Sequence, residues 1–209
     1  MQDRVPNLDL FAHLWLTIES PGDAFRKVLI AEHKNFVLFF GVFLGLASSF
    51  TMLWAVHAGD RFDNLFPLML KGLGVGLVSG VPLVMLLSGV MFGVARSMGG
   101  KGTFLNTYGV AGWSLVPIVL SVVFILPLEL GTLGLVLFST NPSAYEMKPV
   151  VTSILVGLDG ATVVWSLLLM VTGVRQAHAV GRIRSVLTVL ITVVIVTAAW
   201  TFVYSSFNL

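Results

Sequence analysis

The sequence predicts an all-α polytopic membrane protein, a five-transmembrane-helix bundle preceded by short amphipathic interfacial helices. Three observations carry that expectation. The 209 residues are 56% hydrophobic and only 11% charged, whereas a soluble domain carries about 25% charge. Mean hydropathy is +0.96. Apolar stretches run over about 36–56, 66–95, 107–138, 150–174 and 186–204. Each is as long as the roughly 20 residues a helix needs to cross a hydrocarbon core. The gaps between them are too short for a second domain. The expected organisation is therefore an interfacial segment over 1–35 and a membrane domain over 36–209.

In chain order, the first residues are polar and include Asp3 and Arg4. The first long apolar run starts too late and runs too long for a cleavable signal, so none is expected. Leu8, Phe11, Leu14, Trp15 and Ile18 recur at helical spacing. That builds an apolar stripe suited to the headgroup region, with Trp15 at the interface. Ser20-Pro21-Gly22-Asp23 reads as the start of a second helix, with Ser20 as cap and Pro21 in the first helical position. Phe25, Val28 and Leu29 would turn to lipid or to the bundle, and Arg26 and Lys27 to water or phosphates. A linker lying on the membrane is one reading of this segment, and a sensor of curvature or of a partner is the other.

The first span carries Gly41, Gly45 and Ser49 at four-residue spacing. The second carries Gly72, Gly76 and Gly80, then Gly89 and Gly93. Small residues four apart let helix backbones approach closely. Packing within the bundle is the expected use, and a dimer interface is the other. Pro82 lies inside the second span, and Pro117 and Pro127 inside the third. Each removes a backbone donor and favours a kink. The third stretch is too long for one straight crossing, so a break is expected at Pro127 with Gly131 and Gly134. Such a broken helix lines a cavity or ends in an interfacial segment. Met98 to Gly102 reads as a flexible turn, lacking P-loop spacing. Ser139 to Ser143 reads as another turn.

Charge sets the expected orientation. An odd number of spans puts nine of the 12 Lys and Arg residues on the side of the amino terminus and three on the other. Positive residues stay in the cytoplasm, so the amino terminus is expected inside and the carboxyl terminus outside. Arg26, Lys27, Arg175, Arg182 and Arg184 are candidate contacts for anionic headgroups. No Lys/Arg run suggests nucleic acid. The absence of cysteine excludes disulfides and thiolate chemistry.

Asp159 stands inside the fourth span. An acid there costs at least ~2.5–3.5 kcal/mol on insertion scales and must face protein or water. Glu129 and Lys71 lie near the outer ends of the third and second spans, and His57 ends the first. These four are candidates for one polar cluster that binds a proton, a cation or a lipid headgroup. In the competing reading Asp159 is a hydrogen-bonded structural acid, while Glu129 and Lys71 snorkel outward. An intramembrane aspartyl protease needs two embedded aspartates, and only Asp159 qualifies. The His-Glu-x-x-His metalloprotease motif is absent. No serine has a helical histidine neighbour, and none of His13, His33, His57 and His178 lies mid-membrane. Neither catalysis, nor a metal, nor a cofactor is expected.

Three motifs then occur in order. Gly99-Gly100-Lys101-Gly102-Thr103-Phe104 is followed by Tyr108 and by Gly112-Trp113-Ser114-Leu115-Val116-Pro117. The fourth span ends in Gly173-Val174-Arg175-Gln176-Ala177-His178. From about Pro21 onward this resembles the Yip family of Ypt/Rab-interacting membrane proteins, in its bacterial branch. The resemblance implies five membrane helices with a cytoplasmic amino terminus, here in a bacterial inner membrane, and supplies no catalytic or metal residues. Eukaryotic members are linked to Rab GTPases and vesicle traffic, often as oligomers. This chain lacks their long cytosolic region and Asp-Leu-x-Gly-Pro motif, which counts against a GTPase partner. The expected partners are membrane lipids and a homo-oligomer or another membrane protein. The expected function is non-enzymatic organisation of the membrane or of membrane partners. A small transporter or lipid translocator using Asp159 is the alternative.

Overall fold

The structure is a computed structural model and describes residues 9–31, 34 and 36–207. Arg4, Leu8 and His33, named above, lie outside the described residues, as do the polar first residues. Every regular element among the described residues is helical.

Two short helices come first. α1 spans Leu10–Glu19, and the Asp9 carboxylate caps it by accepting from the Phe11 N–H at 3.1 Å. α2 spans Pro21–Ile30 with Pro21 in the first position, as expected. Ser20 occupies the cap site, but its hydroxyl makes no capping bond. The far end of α2 is closed by Lys34, whose ammonium donates to the carbonyls of Val28, Leu29 and Ala31 at 2.5, 3.2 and 2.7 Å. A cation suits the negative end of a helix, and partial burial lowers the Lys34 pKa from its usual 10.5.

The long helices follow. α3 spans Val37–Ala55 and α4 spans Leu65–Ser97. The third apolar stretch is assembled from pieces. α5 covers Phe104–Trp113, α6 Val116–Leu120, a π-helical turn Ser121–Ile125 and α7 Leu126–Leu133, before a 3-10 turn over Gly134–Phe138. A short α8, Ala144–Met147, precedes α9 over Pro149–His178 and α10 over Arg182–Phe207. Five segments are long and apolar enough to cross a membrane: Val37–Ala55, Leu65–Ser97, Phe104–Phe138, Pro149–His178 and Arg182–Ser206. They match the expected stretches to within four residues, the widest differences falling at the end of α9 and the start of α10.

Glycine stripes decide the closest contact. A Cβ on Gly45 would collide with the Gly76 carbonyl, and one on Gly80 would sit 2.6 Å from the Gly41 carbonyl. α3 and α4 therefore pack backbone to backbone, as the internal-packing reading expects. Gly89 and Gly93 take no part, since a Cβ there meets nothing within 4 Å. Pro82 does not end α4, which runs through it.

The third span breaks earlier than the sequence suggests. The helix is interrupted at Ser114–Leu115, ahead of Pro117. There Ser166 of α9 donates to the Ser114 carbonyl at 2.8 Å. A neighbouring helix thus satisfies a backbone group that lipid cannot. Pro127 does not break the span. It falls in the first turn of α7, where a missing N–H costs least, directly after the π turn. Gly134, at φ +59°, does end α7.

Two apolar cores result. One, on the side of α1 and α2, gathers Phe25, Val28, Phe40, Trp113 and Val174. The other, at the opposite end, gathers Phe50, Leu53, Leu68, Leu137 and Phe138.

Candidate functional site

The π turn shapes a cavity in the membrane domain. The Leu126 N–H bonds to the carbonyl of Ser121, five residues back. That extra residue widens the helix, a feature frequent at functional sites. It also turns the Ser121 hydroxyl onto α9, where it donates to the Asp159 carboxylate. About two helical turns beyond Ser121, Glu129 enters the same space from α7 and is only 5% exposed. The cavity measures about 350 Å³. Its remaining walls are Phe50, Thr51 and Trp54 of α3, Phe138, and Val156 and Gly160 of α9, among others. Two acids therefore share an apolar chamber inside the membrane domain.

The expected cluster of four is only half assembled. Asp159 and Glu129 meet at this cavity, whereas Lys71 and His57 are not among its lining residues. His57 is exposed, in left-handed conformation in the loop after α3. Lys71 is partly buried on α4. Glu129 is buried rather than snorkelling outward. Ser121 is the partner that sequence reasoning missed. It lies 38 positions from Asp159 on another helix, and no periodicity within one helix links such a pair.

A second constellation unites the three motifs on the side of α1 and α2. The turn at Met98–Gly102 is pinned, contrary to the flexible turn expected. The Lys101 N–H donates to the His178 carbonyl at 3.0 Å. A Cβ on Gly100 would sit 2.7 Å from both the Ala95 carbonyl and His178 Nδ1, and one on Gly102 2.5 Å from the Ala177 carbonyl. Gly99 has φ +86°, where a side chain is strained. The glycines thus let the loop lie on the exit of α9. His178, fully buried, reaches Thr107 of α5 through Nε2 at 2.8 Å. Phe104 and Tyr108 stack with their ring centres 6.3 Å apart.

Gly109 and the remaining motif residues pack around α2 and the start of α3. A Cβ on Gly109 would sit 2.9 Å from Val28, and one on Gly173 3.1 Å from Phe25. A Cβ on Gly112 would sit 2.6 Å from Val37 at the start of α3. Trp113, fully buried, is ringed by Phe40, Phe36 and His13 at 4.9, 6.2 and 4.4 Å between ring centres. Gln176 ties α9 to α2 by donating to the Gly22 carbonyl at 3.1 Å. Arg175, on the same helix exit, points outward and is exposed.

α1 therefore faces differently from the expected stripe. His13 and Thr17 are its buried residues, with Leu10 and Leu14 packed beside them. Phe11 and Trp15 stand 79% and 67% exposed, and Ile18 lies on the same outward side. Leu14 belongs to the bundle and leaves the outward stripe to the other three. Arg26, Lys27, Arg182 and Arg184 are exposed on this end of the molecule, and Arg26 pairs with Asp23 at 3.4 Å. Among the described residues no group of three or more His, Cys, Asp or Glu side chains could hold a metal ion.

Apolar side chains cover most of the outer surface of α4, α9 and α10, including Leu70, Val78, Leu168 and Val194. Such a surface is stable against lipid and not against water. The protein is thus an integral membrane protein of the polytopic α-helical class. The Yip1 domain family model matches residues 15–203, and the chain belongs to that family. The match takes in the second half of α1 and so starts ahead of Pro21. No curated protein and no solved structure matches the chain.

Proposed function

We propose that this Yip-type protein is non-enzymatic and organises the membrane around its amino-terminal helix pair, at the cytoplasmic leaflet. The carrying observation is the two-faced α1. One side is bolted to the bundle through His13 and Thr17, while Phe11, Trp15 and Ile18 stand outward. A helix fixed in this way holds its apolar side chains at a set depth beside the bundle. A free amphipathic helix would choose its own depth. Arg26, Lys27, Arg175, Arg182 and Arg184 are exposed at the same end, and each basic residue near an anionic surface contributes about 1 kcal/mol. The excess of Lys and Arg on the side of the amino terminus supports a cytoplasmic position for it.

The chain has no cysteine, so one introduced residue labels cleanly. In Phe11→Cys carrying a nitroxide, with the full protein in phosphatidylglycerol vesicles, the label should report headgroup depth by its collision with oxygen over a water-soluble relaxer. A label as accessible to the water-soluble relaxer as a free one refutes the reading.

A further inference from the structure

We propose that the cavity between α3, the broken third span and α9 is a binding site for an organic ammonium ion, with Asp159 and Glu129 facing the charged nitrogen and Phe50, Trp54 and Phe138 packing on its apolar body. This site lies in the core opposite the amino-terminal helices, so it stands or falls apart from the proposed membrane-organising role.

Four observations converge. The chamber, about 350 Å³, falls in the range of small-ligand sites, which are mostly apolar with a few polar groups that orient the ligand. Its two ionisable lining residues are both acids, and no Lys, Arg or His lines it. An anion would meet like charge there, whereas a cation supplies the countercharge that a buried carboxylate requires. Glu129 is 5% exposed, and its carboxylate has no hydrogen-bond partner among the described residues. A carboxylate that lines a cavity with no donor beside it is open to a ligand that brings one. Asp159 has the Ser121 hydroxyl, which occupies one of its oxygens and leaves the other for a ligand. Finally, Phe50, Trp54 and Phe138 line the cavity, and aromatic rings attract ammonium groups electrostatically. Two carboxylates in an apolar wall make a poor cage for a hard inorganic dication, which takes six or more oxygen ligands.

The ammonium could reach the site on a free amine or on the headgroup of an aminophospholipid. The test uses the full chain in phosphatidylglycerol nanodiscs, titrated calorimetrically with benzylammonium, whose three N–H groups can donate to both carboxylates, with protein-free discs subtracted. Saturable binding is expected, and phenylmethanesulfonate, of similar size and opposite charge, should give none. Glu129→Gln and Asp159→Asn should each weaken binding roughly ten- to hundredfold, the range for hydrogen bonds to charged groups. Gly160→Leu keeps both acids. A Cβ at Gly160 meets nothing within 4 Å, so the added side chain fits the helix and narrows the cavity, and binding should again weaken. Adding phosphatidylethanolamine to the discs separates the sources. Competition with the probe identifies the lipid headgroup, and unchanged affinity identifies a free amine. Three results each overturn the proposal: no saturable binding above empty discs, equal binding of the sulfonate, or wild-type affinity in the acid variants or in Gly160→Leu.

Discussion

Acidification should release α1 from the bundle, and His13 is the reason. Its ring meets Trp113 edge to face at 4.4 Å and is 4% exposed. Burial, and then the nearby Lys27 charge, push its pKa down from 6.5 to about 4. The docked state therefore favours neutral imidazole, while the released state titrates near the ordinary value. Docking stability is full above pH 6.5, falls as pH drops from 6.5 towards 4, and is flat below that. The whole gap is worth at most ~3.4 kcal/mol. Water reaching part of the ring at the membrane surface reduces this to roughly 1–3 kcal/mol. Amide hydrogen exchange over 10–19, with intrinsic rates divided out, measures it directly. Protection should fall roughly five- to hundredfold between neutral and acid pH. His13→Phe keeps an aromatic ring on Trp113 without a titrating group and should abolish the dependence. The same pH profile in that variant, or flat protection in the wild type, refutes the reasoning.

Two further predictions concern packing. Gly102→Ala should destabilise the protein by roughly 1–3 kcal/mol, because its Cβ meets the Ala177 backbone at 2.5 Å and backbone does not give way. Gly89→Ala, with open space around it, should instead be neutral or gain up to ~1 kcal/mol in helix propensity. Thermal melts of the two variants in the same detergent decide it, and equal melting temperatures would contradict the assignment. Ser166→Ala removes the donor to the Ser114 carbonyl and should cost about 0.6–2 kcal/mol, the range for interhelical hydrogen bonds in membranes. Unfolding in denaturing detergent reads it, and wild-type stability would show that the break is satisfied some other way.

The five spans were legible in the sequence because lipid demands length and apolarity, and both are local properties. So were α1 and α2, whose apolar spacing and Pro21 start sit within a few residues, and the small-residue stripes on α3 and α4. Gly100 and Gly102 could be recognised as motif residues, but not as the seats for the Ala95 and Ala177 carbonyls. Of the break expected at Pro127 with Gly131 and Gly134, Gly134 does end α7, whereas Pro127 costs little in the first turn of that helix; the earlier interruption at Ser114, whose carbonyl accepts from Ser166 of α9, was not foreseen.

Composition and periodicity determined that this chain threads a membrane, and roughly where, since each helix meets lipid largely on its own. Which face of α1 turns inward, which of the polar residues meet, and that Asp159 finds Ser121 while Glu129 finds no partner among the described residues were decided by packing between helices far apart in the chain. Tertiary structure alone sets these pairings, because a side chain's neighbour across a helix interface depends on the rotation and offset of both helices, which no single helix encodes.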